Sequence, residues 1–201
     1  MCTKMNYAAD IYLIAGLGNP GKEYRQSRHN VGFMVIDHLA EDLETPIKRV
    51  KFKAMIGIGT FENKQVILAK PQTYMNASGE SIAPLLRYFK VPLENFIVVH
   101  DDLDIPFGNL RIRPSGGTSG QKGMKSIVEK LGSQDFPRMR MGIGRPPGRM
   151  DPVDYVLQSF TPDQVPIMEE VLDQAVKALK TFILDGLDKA MNTYNGDKGI
   201  G

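Results

Sequence analysis

The chain has 201 residues, of which 42% are hydrophobic and 24% charged, and its formal net charge is +2. This size and apolar content suit one compact domain, so residues 1–201 are treated as a single domain whose ends, 1–10 and 195–201, are expected to be frayed. The single cysteine, Cys2, excludes disulfides within the chain and cysteine-based zinc sites. Because no apolar run approaches the ~20 residues of a membrane span, we expect a soluble, cytoplasmic protein without membrane association.

Predicted strands and helices alternate along the chain. Continuous or alternating apolar runs predict strands at 11–15, 54–61, 65–69, 95–100, 110–113 and 138–144. Apolar residues at helical spacing predict helices at 31–43, after Ser78, at 124–131 and from Thr161 to about Leu184. Pro84 implies a kink or a late start in the second helix. The alternation predicts an α/β fold with a twisted, mixed and mostly parallel sheet flanked by helices.

Positive charge is concentrated in one part of the sequence. Residues 105–149 contain nine Lys or Arg and only two acidic residues, although the whole chain is nearly neutral. Such asymmetry allows a domain to present one basic face to phosphate groups. A basic face that is merely solvated is an equally good interpretation of a single charge run.

The first chemical motif is the glycine turn Gly16-Leu17-Gly18-Asn19-Pro20-Gly21, directly after the first predicted strand. It matches the G-x-G-x-x-G pattern of dinucleotide sites. Pro20 stiffens the turn, however, and the charged segment 22–25 follows it where that fold requires an apolar helix. We therefore interpret the turn as one that carries Asn19 to the carboxyl edge of the sheet, where α/β proteins place their sites.

His29 and Asp101 are the candidates for acid-base chemistry. His29 lies in a polar turn before a predicted helix, and Asp101 follows a buried strand. A carboxylate on one imidazole nitrogen fixes the tautomer and leaves the other nitrogen to take a proton from water. Strand alternation turns His100 to the opposite face as a packing residue, and His38, in the middle of a helix, is expected to be solvated.

A metal site is the alternative use of the acidic residues Asp101, Asp102 and Asp104. Hard cations require several oxygen ligands, and no second acidic cluster lies nearby in the sequence. The sequence also lacks a Gly-x-Ser-x-Gly elbow or a suitably placed cysteine to act as nucleophile. We therefore expect water as the attacking group, with no metal and no other cofactor.

Three segments together resemble the signatures of the bacterial peptidyl-tRNA hydrolases. They are residues 16–32, which contain the glycine turn and Arg28-His29-Asn30; residues 71–79, which contain Tyr74-Met75-Asn76; and residues 100–108, which begin His100-Asp101-Asp102. The likeness runs from Leu13 to about Asn192. It implies a cytoplasmic, monomeric α/β enzyme without a cofactor, which hydrolyses the ester between a peptide and the 3′ end of tRNA and releases the tRNA for reuse.

The resemblance also implies a role for each matching residue. His29 is the base, Asp101 is its partner, and Asn19 and Asn76 hold the peptide main chain and the scissile carbonyl. The other substrate-binding positions that match are Tyr24, Tyr74 and Met75, and Lys122 is added to them on the separate grounds given below. The tRNA-contacting positions are Arg111, Arg113, Lys125 and Arg140.

One segment departs from the family pattern. The family's glycine-rich loop commonly ends His-Asn-Gly, whereas this chain has Gln121-Lys122-Gly123. The family's asparagine is credited with holding the water or the tRNA end. Lys122 has no hydrogen-bond acceptor and cannot take over this role. Gln121 is the candidate to take over part of it. A lysine before a helix start suits an anion, so Lys122 is predicted to bind a phosphate near the tRNA acceptor end. The alternative function is a non-catalytic RNA-binding relative.

Overall fold

The computed structural model describes residues 11–196, which form one mixed sheet with helices on both faces. The strands are β1 (Ile11–Gly16), β2 (Arg49–Lys51), β3 (Ala54–Phe61), β4 (Lys64–Pro71), β5 (Phe96–Asp102), β6 (Leu110–Arg113) and β7 (Arg138–Gly142). The α-helices are α1 (Val31–Asp42), α2 (Gly79–Phe89), α3 (Lys122–Leu131), α4 (Pro152–Leu157), α5 (Gln164–Asp185) and α6 (Leu187–Tyr194). The predicted α/β architecture is confirmed.

The seven strands are ordered β2-β3-β4-β1-β5-β7-β6 across the sheet. The three central pairs, β4 with β1, β1 with β5 and β5 with β7, are parallel. The three outer pairs in the described part of the chain are antiparallel. The parallel pairing predicted for most of the sheet therefore holds for its centre, where the carboxyl ends of β1, β4 and β5 meet at one edge.

Two apolar layers lie against the two faces of the sheet. Successive residues of a strand point to opposite faces, so Ile14 packs in the layer formed with α1 and α5, whereas Leu13 packs in the layer formed with α2 and α3. Val99 and Val98 divide in the same way on β5. Because both faces are covered, β1 and β5 are buried along their whole length, which explains their continuous apolar sequences.

Several element boundaries differ from the sequence prediction. The structure contains β2, α4 and α6, which were not predicted, and α3 begins at Lys122, two residues early. The late start considered for the second helix is wrong, because α2 runs from Gly79 through Pro84. Residues 1–10 and 197–201, where fraying was predicted, lie outside the described residues. Asn195, in the same predicted tail, is held by two side-chain hydrogen bonds to the backbone of Ile112 in β6.

None of the helices within residues 11–196 combines the length with the apolar character that crossing a bilayer requires.

Candidate active site

A pocket of about 380 Å³ opens at the edge of the sheet where the central parallel strands end. The turn after β1 contributes Asn19, the connection from β4 to α2 contributes Tyr74, Met75 and Asn76, and the end of β5 contributes Asp101. The pocket therefore lies where open α/β sheets generally place their sites. It gathers residues from all three segments singled out in the sequence.

His29 and Asp101 are in direct contact in this pocket. His29 belongs to a short 3-10 helix, Arg28–Asn30, directly before α1. Its Nδ1 lies 2.8 Å from Oδ2 of Asp101, and the two side chains are 14% and 4% exposed. Because an ionised carboxylate only accepts hydrogen bonds, Nδ1 carries the hydrogen. In the neutral ring Nε2 is then the unprotonated nitrogen, which is the arrangement that a general base requires.

Arg28 fixes the short helix that carries His29. Its side chain is only 3% exposed, and its guanidinium donates to the backbone oxygens of Gln158 and Ser159 and to Oε1 of Gln164. The guanidinium carbon also lies 4.4 Å from the ring centre of Tyr155. These contacts attach the turn that carries His29 to α4 and the segment that follows it, a distant part of the chain.

Asn19 is held by hydrogen bonds that leave one side of its amide unused. Its backbone N–H donates to Oδ1 of Asn30, and Asn30 Nδ2 donates back to its carbonyl oxygen. Its own Oδ1 accepts from the backbone N–H of Met75 at 2.9 Å. Because the side-chain atom next to this N–H must be the oxygen, the other amide atom is Nδ2. No acceptor for Nδ2 is found among residues 11–196. Asn19 thus presents an N–H donor to the pocket.

The segment Tyr74–Asn76 forms the neighbouring wall of the pocket. Met75 is buried, whereas Asn76 is exposed and the Tyr74 side chain is 67% exposed. The wall therefore offers one exposed amide and one exposed aromatic ring to a ligand. Tyr24, also predicted to bind substrate, lies on the 3-10 helix Lys22–Tyr24, and it is not among the residues that line the pocket.

The glycine-rich loop before α3 closes another side of the pocket. Arg138 is buried and donates to the carbonyl oxygens of Gly116 and Gly117, so the start of the loop is tied to β7. At its end, Gln121 donates its backbone N–H to Thr118 and caps α3 with its side chain. A loop that contains three glycines, at positions 116, 117 and 120, is thereby given a defined path.

The two residues that depart from the family pattern have different environments. Gln121 is 8% exposed, and its side-chain amide contacts Asp101, Met75 and the backbone of Met124. The amide is therefore engaged by partners inside the protein, and its suggested partial role in holding the water or the tRNA end stays a prediction. Lys122, the first residue of α3, is exposed and lines the pocket mouth.

An apolar part of the pocket lining was missed by the sequence analysis. It consists of side chains from α4 and from the end of β5, namely Leu103, Pro152, Val153, Val156 and Leu157. Asp151 caps α4 by accepting from the N–H of Val153 at 2.7 Å, and Pro152 occupies the first helical position. That pair of residues is a recognised helix-start signal, and it would have predicted α4.

The predicted tRNA-contacting residues lie on three elements, β6, β7 and α3. Arg111 and Arg113 are on the edge strand β6, where Arg111 is directly opposite Arg140 of β7. Arg140 donates from Nε to Oδ2 of Asp102 at 2.7 Å, and its side chain is 22% exposed. Lys125 is 70% exposed on α3. Arg140 is thus held in place by a buried carboxylate, and Arg113 is exposed.

The three aspartates considered as metal ligands diverge from one another. Asp101 contacts His29, Asp102 binds Arg140, and Asp104 pairs with Arg145. Within the described ranges, no group of three or more His, Cys, Asp or Glu side chains is placed to hold a metal ion.

The other two histidines lie outside the pocket. His100 is 2% exposed, and its Nδ1 lies 2.7 Å from the backbone oxygen of Asp101, to which it donates. Burial lowers the pKa of His100 despite the carboxylates of Asp101 and Asp102, which act in the opposite direction. His38 is partly exposed near Glu169. His100 is therefore the buried residue that was predicted, and it is neutral at pH 7.

Comparisons with known proteins show what this chain is similar to. The family model described as Peptidyl-tRNA hydrolase matches residues 13–200. The chain is 50% identical over 186 residues to the peptidyl-tRNA hydrolase of Alkaliphilus metalliredigens, covering 92% of this chain and all of the relative. It is 45% identical over 190 residues to the chloroplastic peptidyl-tRNA hydrolase of Arabidopsis thaliana, covering 94% of this chain and 66% of the relative. The crystal structure of peptidyl-tRNA hydrolase from Acinetobacter baumannii superimposes with a TM-score of 0.88 at 35% identity, covering 93% and 95% of the two chains.

Proposed function

Because the chain belongs to the peptidyl-tRNA hydrolase family, we propose that its pocket hydrolyses the ester between a peptide and the 3′ end of tRNA with water activated by His29 and Asp101. The observation that carries this proposal is the 2.8 Å contact between His29 Nδ1 and Asp101 Oδ2 inside the pocket. A complete pair of this kind favours catalysis over the non-catalytic RNA-binding alternative.

The reaction needs one proton acceptor and one carbonyl-polarising donor. His29 Nε2 takes a proton from water as the water oxygen bonds to the ester carbonyl carbon, and Asp101 stabilises the imidazolium that forms. The outer N–H group of Asn19 is available to the oxyanion that develops on the carbonyl. As the intermediate collapses, the carbon–oxygen bond to the ribose breaks and the imidazolium returns the proton to the ribose oxygen. The products are the peptide acid and tRNA with a free hydroxyl.

Recognition of the peptide is assigned to the wall formed by Tyr74, Met75 and Asn76. The Asn76 amide is exposed at the pocket and suits main-chain groups, which every peptide has. Tyr24 lies outside the pocket lining, so we assign it no direct contact with the reacting ester. The apolar side chains of α4 that line the same pocket supply further contact area.

Recognition of tRNA is assigned to the basic side of the molecule. Three of the basic residues lie on the neighbouring strands β6 and β7, namely Arg111, Arg113 and Arg140. The fourth, Lys125, lies on α3, the helix that begins at the pocket. Contacts from arginine and lysine to phosphate are independent of sequence and sensitive to salt. This basic side therefore suits an enzyme that accepts any tRNA. We further propose that the enzyme acts as a monomer in the cytoplasm.

Lys122 is assigned to a phosphate near the tRNA acceptor end. It is exposed at the pocket mouth and begins α3, so its ammonium adds to the positive end of a helix. We expect Lys122→Asn to weaken tRNA binding and to reduce its salt dependence, with single-turnover chemistry little altered. Lys130→Asn, at an exposed position in the last turn of the same helix, is the matched control for loss of charge. A faster chemical step in Lys122→Asn with unchanged binding would contradict the assignment.

Hydrolysis of a model substrate, an N-acetylated aminoacyl-tRNA, tests the central proposal. The wild-type protein is expected to release free tRNA, and His29→Ala is expected to bind the substrate without cleaving it. Binding without cleavage by the wild type would identify the non-catalytic relative instead. Full activity in His29→Ala would show that another group is the base.

A further inference from the structure

Gln121 connects the catalytic pair to the glycine-rich loop. Asp101 uses its two carboxylate oxygens differently, because Oδ2 contacts His29 and Oδ1 accepts from Nε2 of Gln121 at 3.2 Å. The same amide accepts at Oε1 from the backbone N–H of Met124 at 2.8 Å, which caps α3. Gln121 is 8% exposed, so these bonds form largely out of contact with water.

The surrounding groups determine which way the Gln121 amide faces. A backbone N–H can only donate, so the amide atom next to Met124 must be the oxygen. The nitrogen then faces Asp101 Oδ1, and it also lies 3.1 Å from Sδ of Met75. An amide in the opposite orientation would place a donor against a donor and an acceptor against a carboxylate. Both ends of the side chain are therefore fixed by the fold.

We propose that Gln121 is a positioning residue for catalysis, which holds the Asp101 carboxylate in the orientation that His29 requires. The proposal rests on the proposed function, because it assigns Gln121 to the same reaction. Without its donor, the Asp101 carboxylate can rotate about its terminal torsion, which is a soft torsion with broad minima. The Nδ1 contact of His29 then loses its fixed direction. The same bond makes the geometry of the catalytic pair depend on the position of the glycine-rich loop.

Gln121→Ser separates this role from helix capping. Serine is favoured at the first cap of a helix, so α3 keeps its cap, but the shorter side chain cannot span the distance to Asp101. We expect the melting temperature to stay close to that of the wild type, with kcat reduced about tenfold and KM unchanged, since one hydrogen bond to a charged group is lost. A kcat equal to that of the wild type would overturn the proposal and leave Gln121 as a cap alone.

Gln121→Glu tests the contact through the pH dependence of kcat. The substitution keeps an oxygen for the N–H of Met124 but places a second carboxyl group about 3 Å from Asp101, where the two carboxyl groups share one proton. While that proton is present, the new carboxyl group donates to Asp101 as the amide does. When the proton is lost at high pH, the two negative charges repel each other and the contact breaks. The kcat of the variant is therefore expected to fall toward high pH relative to that of the wild type. A kcat profile identical to that of the wild type would overturn the proposal.

The wild type and His29→Ala are measured beside both variants. If the wild type fails to hydrolyse the model substrate, the proposed function itself fails. If the wild type is active, His29→Ala is inactive and both Gln121 variants behave as the wild type, only the positioning role fails.

Discussion

Replacing Asn19 with aspartate removes one donor from the pocket and leaves the surrounding hydrogen bonds in place. The Oδ1 of Asn19 accepts from the N–H of Met75 at 2.9 Å, and an aspartate oxygen can accept the same bond. The outer N–H₂ group becomes a carboxylate oxygen, which repels the oxyanion that the amide is proposed to stabilise. Loss of one such donor lowers kcat by about 10²–10³-fold, which corresponds to about 2.7–4 kcal/mol in the activation barrier. We expect Asn19→Asp to lie at or beyond the upper end of that range.

The assay compares kcat, KM and the free energy of unfolding for three variants. Asn19→Asp should fold with nearly wild-type stability, whereas Asn19→Ala also leaves the N–H of Met75 without its acceptor and should lose about 1–3 kcal/mol of stability. Asn63→Asp, on the exposed turn between β3 and β4, is the control for an added charge and should change neither quantity appreciably. If Asn19→Asp keeps more than a third of the wild-type kcat, the amide does not stabilise the transition state.

Three further predictions follow from the site and its surroundings. His29→Ala is expected to lower kcat by about 10²–10⁴-fold, the usual contribution of a general base, and Asp101→Asn by less, because the imidazole remains. Arg111→Ala combined with Arg113→Ala should raise the apparent KM and reduce the salt slope by about one unit per lost phosphate contact. Burial lowers the pKa of His100, so the unfolded state takes up the proton more readily as the pH falls below about 6.5. The free energy of unfolding should therefore fall from pH 7 toward pH 5, and His100→Gln should reduce that dependence.

Each of these predictions has a control and a contradicting result. His38→Ala, at the partly exposed histidine on α1, should keep the wild-type kcat, and a loss similar to that of His29→Ala would argue that the assay reports folding. Equal salt slopes for the wild type and the double arginine variant would remove β6 from the tRNA face. The free energy of unfolding is measured with urea at several pH values, and His38→Gln is the control variant. If His100→Gln keeps the full pH dependence of the wild type, that dependence arises from other titratable groups.

The sequence was sufficient for the central sheet and for the contact between His29 and Asp101. Buried parallel strands are continuous apolar runs, and their carboxyl ends meet at one edge, so His29 and Asp101 could be paired across 72 positions of sequence. The elements that were missed carry weaker signals. The edge strand β2 is only Arg-Val-Lys and is mostly exposed, so it has no apolar pattern. Helix α6 did have a pattern, with Leu187, Ala190, Met191 and Tyr194 at helical spacing, beyond the break at Gly186.

The role of Gln121 depends on contacts that no local pattern encodes. The sequence shows a glutamine in a glycine-rich loop. Its orientation, however, is determined by two contacts, one with the N–H of Met124 and one with the carboxylate of Asp101, which lies twenty residues earlier in the chain. Its neighbour Lys122 is the first helical residue and points to the pocket mouth, because adjacent residues at a helix start face in different directions. The two residues that depart from the family pattern are therefore assigned to different places. Gln121 maintains the geometry of the catalytic pair from inside, and Lys122 adds positive charge where the acceptor end is proposed to enter. A variant that restores asparagine at 122 alone should consequently change tRNA binding while the Asp101–Gln121 contact, and with it the pH profile of kcat, is retained.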